Sequence, residues 1–425
     1  MLRSIRTGVA LAVILTAQPL VFSRPLAVAQ GTAPRRADLL RDERRAKAAA
    51  VREPERATTE KLIIGLNNVV GFAGKLRGGL AGFHFATGDF PSGAGFAYGL
   101  GFTDLAVGSL YEDADLSNRL DVDAQVAFST ASYFRGRTEV ALRNIRGAPF
   151  HVSLMGQYYE YAEEDFFGFG LDATRESDRT SYRLDAWEVG GDFQWEPESW
   201  LHFGGGAAFL SPRVRSGEDD LYPSTEEVFA PATLPGFSAE PDFVRIDGWL
   251  RVDRRDNPSY TRAGSFAGAK VSVYEDRDLG AFDFRRFEFE AQQYIPWLQE
   301  HRVLALRANA VITDTNSGSD VPFYFMPTLG GSSVLRGFRE SRFRERNSIL
   351  FGAEYRWEAW WALDMALFVD SGKVASDKSD LDFDNLQNSW GLGFRFHKFD
   401  AFVLRLDLAI SREGFIPFLR YKSAF

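Results

Sequence analysis

Apolar and polar residues alternate with a period of two along most of this 425-residue chain, the pattern of a strand with one apolar face. In Asp121–Ser129, Val122, Ala124, Val126 and Phe128 alternate with Asp121, Asp123, Gln125 and Ser129. In Phe287–Gln292, Phe287, Phe289 and Ala291 oppose Glu288, Glu290 and Gln292; Leu304–Ile312 sets an apolar row against Arg307 and Asn309. Phe402–Ile410 sets another against Arg405 and Asp407. Charged residues on the second face mean that this face is wet. The pattern predicts strands near 79–87, 95–108, 120–130, 133–144, 149–161, 180–195, 199–210 and 242–255. It continues near 264–275, 281–294, 301–313, 347–358, 361–371, 388–397, 401–410 and 415–425. One such strand fits a soluble sandwich equally well. Repetition over most of the chain predicts an all-β fold, a transmembrane antiparallel β-barrel of about sixteen strands with a polar lumen.

The connections alternate as well. Those around Glu196–Ser199, Asp256–Ala263, Ile295–Glu300, Ala359–Trp360 and Lys398–Asp400 are short, whereas 162–179, 211–241, 314–346 and 372–387 are long. Short turns at one end and long loops at the other are expected of periplasmic and extracellular rims. Trp195, Trp200, Trp297, Trp357, Trp360 and Trp361 lie beside the short turns, as a girdle at that interface would require. Within Asp253–Gly264, Asp256-Asn257-Pro258 and Gly264 predict a turn, since Asn-Pro sets one and Gly tolerates positive φ. Phe415, Leu419, Tyr421 and Phe425 share one register in the last segment. That strand must pair with the first, or it leaves an edge unsatisfied in lipid.

The N-terminus predicts export. Arg3 and Arg6 precede an apolar Val9–Phe22, and Ala27-Val28-Ala29 offers a cleavage site, so 1–29 reads as a signal peptide. Residues 30–78 read as a periplasmic tail, with a possible short helix over Asp38–Arg52, and 79–425 as the barrel. The chain has 38 Phe and no Cys, and its mean hydropathy is negative. An exported chain without a disulfide framework, aromatic-rich yet polar on average, suits the outer membrane and contact with its lipids. The net charge of −9 argues against nucleic acid.

Candidate chemistry concentrates in Leu329–Phe343, LGGSSVLRGFRESRF, where Arg336, flanked by a Gly and a Phe, lies in a long polar connection. Two following strands carry carboxylates. Alternation puts Ile349, Phe351, Ala353, Tyr355 and Trp357 on the lipid side and Glu354 inside. It likewise puts Leu363, Met365, Leu367 and Val369 outside and Asp364 and Asp370 inside. A planar guanidinium suits two carboxylates better than an ammonium would. Enzymatic patterns are missing: His84, His151, His202, His301 and His397 lie in no Gly-x-Ser-x-Gly context, and no metal-ligand spacing occurs. The sequence predicts no enzyme, metal or cofactor.

Several of these segments together resemble the barrel of the BamA/TamA family, also called the bacterial surface antigen family. Asp253–Gly264, DRRDNPSYTRAG, is similar to that family's Asp-x-Arg-Asp-Asn-Pro turn. Asp165–Gly170, DFFGFG, is similar to a recurrent loop segment. Leu329–Phe343 resembles the family's sixth extracellular loop, with Leu335 where Val is usual before Arg-Gly-Phe. Phe368–Gly372, FVDSG, matches the strand bearing the acceptor aspartate. The resemblance implies an inward-folded loop whose Arg336, beside Gly337 and Phe338, bonds Asp370 with Glu354 nearby. It implies a protein-insertion or translocation barrel handling client outer-membrane or secreted polypeptides. Gln30–Gly78 is too short for a polypeptide-transport-associated domain, so a periplasmic partner would act in trans. A passive pore or structural barrel is the alternative. For an insertase, Gly78, Gly79, Gly82, Gly93, Gly95, Gly99 and Gly101 would weaken the first hairpin; otherwise they serve tight aromatic packing.

Overall fold

The computed structural model describes residues 82–420 apart from 87–89, 92–93, 105–118, 172–177, 299–300, 361 and 399–400. The signal and tail segments, Gly78, Gly79, Gly93, Trp361, Tyr421 and Phe425 lie outside the described residues.

A single 16-stranded antiparallel sheet runs in chain order. Its first half comprises β1 (Phe83–Ala86), β2 (Ala97–Asp104), β3 (Arg119–Ser129), β4 (Phe134–Arg143), β5 (Phe150–Phe166), β6 (Thr180–Glu198), β7 (Leu201–Ser216) and β8 (Phe243–Asp253). The second comprises β9 (Gly264–Asp276), β10 (Phe284–Trp297), β11 (Arg302–Thr315), β14 (Asn347–Trp360), β15 (Leu363–Ala375), β16 (Gln387–Lys398), β17 (Ala401–Ser411) and β18 (Gly414–Arg420). The strand pair β12 (Thr328–Leu329) and β13 (Phe343–Arg344) lies within the long β11–β14 connection. Every neighbouring pair is antiparallel, so each carries the alternation that the sequence shows. Among the described residues no ladder joins β1 to β18.

The two faces differ as a barrel wall in lipid requires. Val126, Phe128, Val189, Leu250, Phe289, Leu367, Val369 and Leu419 stand exposed on one face, while Glu188, Arg307, Glu354, Asp370, Arg395 and Asp407 are buried on the other. Trp195, Trp297 and Trp360 are exposed beside the short turns, but Trp187 lies within β6 and Trp390 near the start of β16, so exposed tryptophan is not confined to that rim. Gly101 has a packing reason: a Cβ there would come within 2.3 Å of the His84 ring.

Strands β5, β7 and β15 extend further toward the long-loop end than the periodicity indicated. β7 continues through Pro212, which ends the visible alternation without ending the strand. Under these extensions sits an aromatic layer. Phe166 meets Phe169, Phe229 and Phe323 edge-on at 5.0–5.4 Å between ring centroids. Phe243, Tyr274, Phe284 and Phe325 form an adjoining group.

Candidate functional site

The β11–β14 connection bonds to polar-face side chains of β11, β14, β15 and β17. Its base is held by Arg344, whose Nη1 donates to the Phe323 carbonyl at 2.8 Å and whose Nη2 donates to the Tyr182 hydroxyl at 3.2 Å. The Gly170 amide, at the end of DFFGFG, donates to the Arg344 carbonyl at 3.0 Å. The loop tip is tightened by Gly331, whose amide donates to the Phe338 carbonyl at 3.0 Å. Gly337 has φ of 85° and packs where a Cβ would meet the Ser389 side chain at 3.0 Å. Both facts favour glycine there. Leu335 and Phe338 are buried on either side, with Phe338 edge-on to Phe343.

This turn presents Arg336 to two adjacent strands. Its Nε donates to Asp370 Oδ2 at 2.6 Å and its Nη2 to Asp370 Oδ1 at 2.9 Å, a bidentate pair with β15. Its Nη1 donates to Glu354 Oε2 on β14 at 2.7 Å. All three side chains have 0% exposure. The guanidinium carbon stands 3.6 Å from the centroid of the Phe368 ring, so the fork is stacked as well as bonded.

The site extends beyond Arg336, Glu354 and Asp370. Glu354 also accepts from Arg356 Nε at 2.7 Å and from Arg395 Nη2 at 2.7 Å. Arg395 Nη1 donates to Asp407 Oδ1 at 2.6 Å, and Arg405 lies against the same carboxylate with Nε 2.9 Å from Oδ2. Arg307 grips the loop backbone, donating to the Ser333 carbonyl at 2.6 Å and to that of Val334. Arg405 donates to the Ser332 carbonyl at 2.5 Å, and Arg420 to the Ser332 hydroxyl at 2.7 Å. The sequence placed Arg307, Arg405 and Asp407 on the polar face but gave no reason to join them to Arg336. Gly352 makes the convergence possible, because a Cβ there would lie 2.8 Å from both Arg307 Nε and Asp370 Oδ1.

The Asp256-Asn257-Pro258 segment forms a turn through Asx-type bonds. The Asn257 side chain accepts from the Ser259 amide at 2.9 Å, and Asp256 accepts from the Arg262 amide at 3.1 Å. Gly264 has φ of 105° against the Arg254 carbonyl. The turn does not stop at the rim. Tyr260, after Pro258, is buried, bonds Asp364 on β15, and stacks on the His397 ring at 4.6 Å between centroids. Of the residues in the last strand, Phe415 and Leu419 are exposed outward on β18.

The profile of the Omp85 superfamily domain matches residues 167–413, more than half of the chain. The chain belongs to the Omp85 superfamily. Among curated proteins it is similar to "Outer membrane transporter CdiB" of Dickeya dadantii (strain 3937), with 27% identity over 129 residues, 29% of this chain and 22% of that protein. The match thus spans under a quarter of that relative's length. Among solved structures, the Omp85 fold here is similar to BamA from Haemophilus ducreyi lacking POTRA domains 1-3. The TM-score is 0.59 with 13% identity, over 78% of this chain and 67% of that one. CdiB from Acinetobacter baumannii matches with a TM-score of 0.45 and 10% identity over 80% of this chain and 59% of that one.

Proposed function

We propose that this protein is an outer-membrane barrel that inserts or translocates client polypeptides, with Arg336 holding the β11–β14 loop inside the lumen as a releasable latch. The bond set from Arg336 to Asp370 and Glu354, at 2.6–2.9 Å and without solvent exposure, carries the reading. A loop that merely capped a stable tube could rest on its aromatic layer at the outer end. Driving an arginine into the bore instead places a costly, fully paired charge where a passing chain would displace it. Export by residues 1–29, a periplasmic tail over 30–78, and a partner acting in trans belong to the same reading. No enzymatic chemistry enters it.

The test is reconstitution of the full chain in liposomes with an unfolded client barrel. An insertase accelerates client folding over empty liposomes, whereas equal rates count against insertion. Conductance separates the alternatives: a large steady pore supports a passive channel, while brief openings over a closed baseline support the latch.

A further inference from the structure

At the short-turn end the connections that lie wholly within the described residues are 144–149, 199–200 and 254–263, and 254–263 is the longest of these. It also leaves the wall. Between β9, where it ends, and β15, where Tyr260 bonds Asp364, stand β10, β11 and β14. The turn therefore cuts across the bore. Arg262 Nη1 donates to the same Asp364 oxygen at 3.0 Å, and Thr261 is 5% exposed. Arg356 then donates from Nη1 to the Thr261 carbonyl at 3.4 Å and from Nε to Glu354 at 2.7 Å. Glu354 in turn accepts from Arg336.

We propose that the β8–β9 turn is a second lumen insert, and that Arg356 couples it to the β11–β14 loop as a positioning residue. The proposal rests on the latch reading of Arg336. Arg356 has one donor on each insert's network, so withdrawing the turn removes one constraint on how it presents itself to Glu354. That loosens the carboxylate receiving Arg336. The reverse holds by the reciprocity of linked equilibria. A polypeptide entering at the short-turn end would meet the turn first and weaken the loop's hold before reaching it.

The chain has no cysteine, so a single introduced thiol is a clean probe. Thr261→Cys reports lifting of the turn and Ser332→Cys reports release of the loop, since both positions are buried. In the full chain in detergent, Tyr260→Phe should raise maleimide labelling at Ser332→Cys at least about fivefold, the lower range for coupled sites. Arg336→Gln should raise labelling at Thr261→Cys by the same factor. Arg336→Lys, which keeps the charge but loses the fork, serves where Arg336→Gln does not fold. Arg356→Met should remove both cross-effects while each insert still responds to its own variant. If Arg336→Gln and Arg336→Lys leave labelling at Ser332→Cys unchanged, the latch reading falls and the coupling with it. If they release the loop but not the turn, or if Arg356→Met preserves the cross-effects, the coupling alone is overturned.

Discussion

The inner faces of β4–β8 and of β14–β17 are both lined by arginines and acids, yet they use them differently. Arg137 and Glu139 on β4 pair at 2.6 Å with side chains 28% and 27% exposed, and Arg245 and Asp247 on β8 pair with 19% and 11%. Arg336, Glu354, Arg395 and Asp407 pair at the same distances with none. Pairs that keep contact with water contribute about 0–1 kcal/mol. Buried ones add little net stability when complete, but removing one partner costs about 3–5 kcal/mol. Identical chemistry thus makes one side of the lumen tolerant of change and the other intolerant, and the intolerant side is the one holding the loop.

The comparison is tested hardest at Glu354. It receives three guanidiniums, so Glu354→Ala should give the largest loss, at least about 3–5 kcal/mol, read as a lower midpoint of heat-modifiability in detergent. A wild-type midpoint would mean the buried network contributes nothing. Next, Arg336→Ala and Asp370→Ala should each lower that midpoint and open loop 314–346 to protease; if both variants match the parent in both assays, the latch is wrong. Gly352→Ala forces a methyl against Arg307 and Asp370 and should cost about 1–3 kcal/mol, as overpacking does. Smallest is Arg137→Gln, at about 1 kcal/mol or less. A loss there equal to that of Arg336→Ala would erase the difference between the two sides.

Much of the wall was legible because lipid on one face and water on the other force a strict period of two. Strand ends were less so: Pro212 hides the last turns of β7, which the aromatic layer nevertheless keeps in the sheet. In the site, alternation already set Glu354 and Asp370 on the inner face, and Arg336 drew notice through its setting. Arg395, Arg405 and Asp407 were ordinary members of polar rows; the β16–β17 register that sets Arg395 opposite Arg405, and Gly393 opposite Asp407, brings them together, and no single strand's alternation shows that register. Tyr260 was hidden differently. Asp256-Asn257-Pro258 explains a turn completely, so nothing prompts a second question; the missed signal was that 254–263 is longer than any reversal requires.

The absence of exposure around Glu354 has a further consequence, which concerns water itself. Opposite charges 4 Å apart attract by about 1 kcal/mol in bulk water but about 4 kcal/mol at the effective dielectric near protein. Dryness is therefore part of the bond between loop and wall. Once one contact opens and water enters, every remaining pair in the cluster weakens together, so hydration of the bore acts as a common medium that the ions share. Release should then be abrupt rather than graded, and resealing should begin with the expulsion of water.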